Sequence, residues 1–101
     1  MIELNMNRVD AFVTLINLCR AHNITVSAVA IMANGFQIKF EDWEDSDAIL
    51  HDGSYGRSQC MWETYGFPWD DGDVSVHTSE ELTALLALYK RYGDNYDWPN
   101  T

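Results

Sequence analysis

The chain has 101 residues, 47% of them hydrophobic and 13% aromatic, with six Lys and Arg against sixteen Asp and Glu and a net charge of −10. That apolar content exceeds the range in which a charged chain stays disordered, and the length suits a single domain, residues 1–101, that buries roughly 60–65% of its unfolded surface. The charge balance disfavours direct contact with nucleic acid or an anionic membrane, both of which draw their affinity from Lys and Arg.

Asn7 is placed to cap a first helix over residues 8–21, and Asp10 adds negative charge to its first turn. Val9, Phe12, Val13, Ile16 and Cys19 recur at intervals of three and four, a helical apolar stripe that Leu15 and Leu18 widen. His22 and Asn23 end it. Residues 24–33 are rich in β-branched side chains and apolar on both faces, which predicts a strand at the centre of a sheet. Asn34-Gly35 is the pair that most readily takes positive φ at both centres of a type I′ turn, and Phe36, Ile38 and Phe40 then alternate with Gln37 and Lys39.

Beyond Phe40 the sequence breaks into an acidic loop, followed by a short strand at Ala48-Ile49-Leu50. The segment Asp52-Gly53-Ser54-Tyr55-Gly56 suits tight turns. Residues 58–65 read as a short helix presenting Met61, Trp62 and Tyr65 on one side, stopped by Gly66 and Pro68. Val74-Ser75-Val76 reads as another short strand. Thr78-Ser79-Glu80-Glu81 is a capping box that opens a last helix, with Leu82, Leu85, Leu86, Tyr89 and Tyr92 inward and Gly93 at its end. Residues 94–101 form a tail that is either loose or folded back through Tyr96 and Trp98. The expected fold is therefore α+β: an N-terminal helix, an antiparallel β-sheet seeded by a hairpin, a short middle helix, and a C-terminal helix packed on the sheet.

Twelve of the sixteen carboxylates fall between Glu41 and Glu81, where Arg57 is the only basic residue. Such a concentration makes a local negative field that attracts basic surfaces. Two clusters stand out, Glu41, Asp42, Glu44, Asp45 and Asp47, and Asp70, Asp71 and Asp73, flanked by Trp43 and Trp69 as candidate aromatic anchors. If residues 41–47 are extended at ~3.3 Å per residue, five carboxylates span roughly 20 Å, close to the charge spacing of a single DNA strand. A solvated face that only keeps the chain soluble is the alternative reading of the same residues.

Other chemistry is poorly supported. Setting Gly72 or Gly53 at the sixth position of a calcium loop puts Phe67 or Ala48 at the first, where an oxygen ligand is needed. Cys19, Cys60, His22, His51 and His77 lack zinc spacing, and nothing selects Cys60 as a nucleophile. No catalytic residue, metal or cofactor is expected. The start of the chain lacks the basic and long apolar segments of a signal peptide, so a cytoplasmic location is expected.

The segment Asp52-Gly53-Ser54-Tyr55-Gly56 through Gly66-Phe67-Pro68, with the acidic turn and Thr78-Ser79-Glu80-Glu81-Leu82 after it, resembles small accessory proteins of bacteriophages. In size, acidity and layout the chain is similar in kind to phage inhibitors of host defence, including anti-CRISPR proteins and other DNA mimics. The resemblance implies a non-enzymatic inhibitor that binds a basic nucleic-acid-binding surface of a host protein, such as a CRISPR effector nuclease, and blocks nucleic-acid access. The alternative function is a self-associating structural or assembly accessory protein, a homodimer, whose acidic face is merely solvated.

Overall fold

The computed structural model describes residues 5–93 and 96–98. A first helix, α1 (Met6–Ala21), leads into five strands, β1 (Val26–Met32), β2 (Gly35–Phe40), β3 (Trp43–Leu50), β4 (Trp62–Tyr65) and β5 (Val74–His77), and a last helix, α2 (Ser79–Tyr92), follows. The strands form one sheet in chain order, every neighbouring pair antiparallel. The two helices pack on each other and on one face of the sheet, so the α+β architecture read from the sequence is the observed one. Buried Leu15 and Cys19 of α1, Phe36, Ile38 and Phe40 of β2, Leu50 of β3, Trp62 of β4, and Leu82 and Leu86 of α2 form the core.

Three local expectations shift. The cap of α1 is Asn5, whose side chain accepts from the Asn7 and Arg8 amides. The middle helix shrinks to one 3₁₀ turn, Arg57–Gln59, and the residues after it become β4. There Trp62 and Thr64 point inward and Tyr65 outward, the two-residue alternation of a strand. The acidic loop after Phe40 is a two-residue turn, Glu41 and Asp42, and β3 starts at once.

β1 is the largest departure, because it lies at the edge of the sheet and not at its centre. All of it beyond Val26 is exposed. A sheet whose strands follow chain order leaves its first strand with one neighbour, and α1 lies over β2, where Phe12 stacks on Phe36 with ring centroids 4.3 Å apart. The buried stripe of α1 is accordingly Arg8, Leu15 and Cys19, while Val13 of the expected stripe is 47% exposed.

Two hydrogen-bonded relays join the layers. Trp62 Nε1 donates to Ser79 Oγ at 2.9 Å, and that hydroxyl donates to the Ala11 carbonyl at 2.8 Å, linking sheet, α2 and α1. At the start of α1, Arg8 Nη1 donates to the Asn34 carbonyl at 2.8 Å and to Asp52 Oδ1 at 2.7 Å, while Asn34 Nδ2 donates to Asp52 Oδ2 at 2.7 Å. The Arg8 guanidinium and the Asn34 amide hold the exposed Asp52 carboxyl below its ordinary pKa. The Cys19 thiol is pushed up to about 11 by burial, partly offset by its bond with Thr83, and is therefore inert at neutral pH.

The β1–β2 turn is centred one residue earlier than expected, on Ala33 and Asn34, which both have positive φ, and Gly35 pairs with Met32. Gly35 is needed for another reason: a Cβ there would lie 1.9 Å from the Leu50 carbonyl oxygen. We expect Gly35→Ala to destabilise by about 3 kcal/mol or more, since backbone must move to admit it. Gly72→Ala meets nothing within 4 Å and carries only the strain of a positive φ, about 1 kcal/mol. Urea denaturation midpoints of the two variants check this contrast.

Candidate functional site

The β2–β3 turn, the start of β3, the end of β4 and the start of β5 all lie at one end of the sheet, as the pairings Phe40 with Trp43, Asp47 with Tyr65, and Tyr65 with Val74 require. The two acidic segments, separated by more than twenty residues in the chain, therefore meet there. Glu41, Asp42, Glu44, Asp45, Asp71 and Asp73 are all exposed. The extended row of five carboxylates is not kept. Phe40 pairs with Trp43 but Lys39 with Asp47, so Glu44, Asp45 and Ser46 bulge out of the ladder. Ser46 Oγ ties the bulge to the Gly66 carbonyl at 2.9 Å. Asp47 is half-buried on the open face of the sheet and accepts from Gln37 Nε2 at 2.8 Å.

Among the described residues the one salt bridge is Arg8 with Asp52, at the opposite end of the sheet, so no ion pair neutralises these exposed carboxylates. Two cations at the end of α2 are otherwise engaged. Lys90 Nζ donates to the Asn23 carbonyl, and Arg91 lies 5.3 Å from the centre of the Tyr92 ring.

Trp69 and Asp70, both expected at a partner surface, are 1% and 5% exposed and cannot reach one. The cause is a 3₁₀ turn, Pro68–Asp70, that tucks both side chains under the sheet. Trp69 stacks on Phe67 at 4.5 Å and meets Tyr89 and Trp98 edge-on or tilted, so Trp98 of the tail folds back onto the core. Tyr96 packs in turn on Trp98 and Tyr92, while residues 94, 95 and 99–101 of that tail lie outside the described residues. Trp43 is half-buried, stacked on Tyr89 at 4.8 Å. An exposed aromatic at this end is instead Tyr65, 53% accessible and directly across the ladder from Asp47. Its outward placement follows from the alternation through residues 62–65, which the reading of that segment as a helix concealed.

Asp70 anchors a buried polar cluster. Its carboxyl accepts from Thr64 Oγ1 at 2.8 Å, from Ser75 Oγ, and from the Phe67 amide at 3.2 Å, while Trp69 Nε1 donates to Thr64 Oγ1 at 3.2 Å. Because Ser75 gives its proton to Asp70, His77 Nε2 donates to Ser75 Oγ, at 2.6 Å. Ser, His and Asp thus occur together, but in the wrong order for nucleophilic catalysis: the serine stands between the other two, with no base free to take its proton. All three are at least 91% buried, so the cluster serves as a polar core. Among the described residues no group of three His, Cys, Asp or Glu is placed to hold a metal ion. No helix among them is long and apolar enough to cross a membrane.

Comparison with known proteins found no matching family model, no similar curated protein and no similar solved structure.

Asp70→Ala is expected to cost about 3 kcal/mol, because it leaves the Phe67 amide unpaired in the core and removes the acceptor that the Thr64 and Ser75 hydroxyls share. Asp71→Asn and Asp73→Asn, on exposed side chains, should each stay within about 0.5 kcal/mol of wild type in the same chemical denaturation. His77 provides a pH test. Burial lowers its pKa below the ordinary 6.5, with Asp70 and Glu81 opposing the shift. Below that value the unfolded chain binds a proton that the folded chain resists, so stability should be full above about pH 6.5 and fall as the pH drops beneath it. Melting temperatures between about pH 7.5 and 5.5 should show this slope in wild type and a flatter one in His77→Gln.

Proposed function

We propose that this chain is a non-enzymatic binding protein whose acidic end docks on the basic, nucleic-acid-binding surface of a partner and blocks access to it. The observation that supports this reading is the convergence of six exposed carboxylates, none in an ion pair among the described residues, on one end of the sheet. Glu41, Asp42, Glu44 and Asp45 supply the field from the turn and bulge, and Asp71 and Asp73 supply it from the next corner. A compact cluster of this kind accelerates encounter with a cationic groove more than it adds affinity. Tyr65 supplies aromatic contact beside it, and Trp43, braced on Tyr89, keeps the turn rigid. A cytoplasmic host nuclease of a defence system is the partner class that the resemblance to phage inhibitors implies.

The test compares the immobilised protein with a variant in which Glu41, Asp42, Glu44, Asp45, Asp71 and Asp73 are all amides. Wild type should capture a nucleic-acid-binding protein from bacterial lysate and release it to duplex DNA or to 1 M salt, where the Debye length is ~3 Å. The amide variant should keep its melting temperature within a few degrees and associate with the captured protein at least about tenfold more slowly. Equal capture and equal rates for the two proteins would remove the acidic end from any interface.

A further inference from the structure

A second surface lies at the edge of the sheet, away from the acidic turns. β1 reads Val-Ser-Ala-Val-Ala-Ile-Met, without a charge or a proline, and among the described residues its outer backbone edge has no neighbouring strand. Natural edge strands are usually blunted by shortness, charge or cover. β5, the other edge, is short at four residues, whereas β1 has seven and only one register irregularity, near Val26. Val29 and Ile31 pair with Ile38 and Phe36, so they share the helix-covered face of the sheet, yet they are 44% and 63% exposed. The helical layer stops short of them.

α1 carries a matching stripe. Met6, Val9, Val13, Ile16 and Arg20 follow one another at helical spacing, and Ile16 and Arg20 line a groove of about 350 Å³ with Thr25 and Val26 at the start of β1. Fourteen steps of helix span ~21 Å and six of strand ~20 Å, so stripe and strand have the same length. Their midpoints are Val13 and Val29, both exposed.

We infer that two copies of this chain join β1 to β1 in antiparallel register about a two-fold axis passing near Val13 and Val29, making a continuous ten-stranded sheet. An antiparallel edge pair keeps both helical layers on one face. α1 then lies antiparallel to its counterpart, Val13 beside Val13, and Met6 of each copy reaches the groove at Ile16 and Arg20 of the other. The surface is self-complementary, as an isologous contact must be. Met6, Val13, Val29 and Ile31 expose on the order of 400 Å² on the helix side, within the range of the largest patch on a monomer, and Met32 adds apolar surface on the other face of the same strand. The backbone edge and the rest of the stripe bring this toward the ~800 Å² that each partner gives to a stable interface. Charge selects the orientation: with a net charge of −10 per chain, antiparallel pairing sets the two acidic ends at opposite ends of the long sheet.

This inference does not depend on the role of the acidic end, and the experiment separates the two. Sedimentation equilibrium of wild type at about 100 μM should give twice the 11.6 kDa chain mass, with tighter association at higher salt as repulsion is screened. Ile31→Lys and Val13→Glu place unpaired charges in the interface and should weaken the dimer by about a hundredfold, without loss of melting temperature beyond that due to dissociation. The six-amide variant should dimerise at least as tightly as wild type. Wild type that stays at 11.6 kDa up to about 1 mM in high salt would overturn the inference and leave β1 open to an extended strand of another protein. So would a dimer indifferent to both charge substitutions, or one lost in the six-amide variant.

Discussion

The carboxyl of Asp70 is the group on which the acidic end of this protein depends. It gathers the Thr64 hydroxyl of β4, the Ser75 hydroxyl of β5 and the Phe67 amide at the entrance to the 3₁₀ turn. Three chain segments are thereby fixed at one point, with every group paired in a place where an unpaired one would be costly. Trp69, next in line, is drawn inward with it and becomes the middle of an aromatic cluster that includes Phe67, Tyr89 and Trp98. With Asp70 directed into the core, Asp71 takes a left-handed conformation and the chain turns outward, leaving Asp71 and Asp73 in solvent. One buried acid thus sets the position of its exposed neighbours.

The opposite end is fastened differently. There Arg8, Asn34 and Asp52 hold the start of α1 to the β1–β2 turn and the residues after β3, and the absence of a Cβ at Gly35 lets β2 and β3 approach closely. These contacts set α1 over β2, and the helical layer ends there. Among the described residues β1 is left with apolar side chains on both faces, one neighbouring strand and no cover. Its exposure follows from where α1 is pinned.

The two surfaces differ in the physics that would govern a partner. A carboxylate-rich end attracts cations, and that attraction weakens as salt rises. An uncharged strand edge beside an apolar helix stripe gains from salt, because screening reduces repulsion between acidic copies. They lie on different parts of the fold and impose no steric conflict on one another. In the two-fold arrangement a dimer would present two acidic ends facing opposite ways, each free to meet its own partner.

Much of the fold was legible from spacing alone. The Thr78 capping box, the leucines of α2, the alternation of Phe36, Ile38 and Phe40, and the apolar period of α1 are local signals, because caps and periodicities depend on neighbours within a turn or two. The strand at residues 62–65 was masked by its brevity and by aromatic side chains that suit either period. The position of β1 was beyond local reading: a strand apolar on both faces looks central, and strand order alone made it an edge. The same holds for the acidic site. Composition determined that the chain carries a concentrated negative charge, but which carboxylates meet solvent was decided by pairing across β3, β4 and β5 and by the hydrogen bonds that took Asp70 inside. Sequence fixes which groups are present and their local period. Tertiary structure decides which of them face water, because burial depends on elements far apart in the chain.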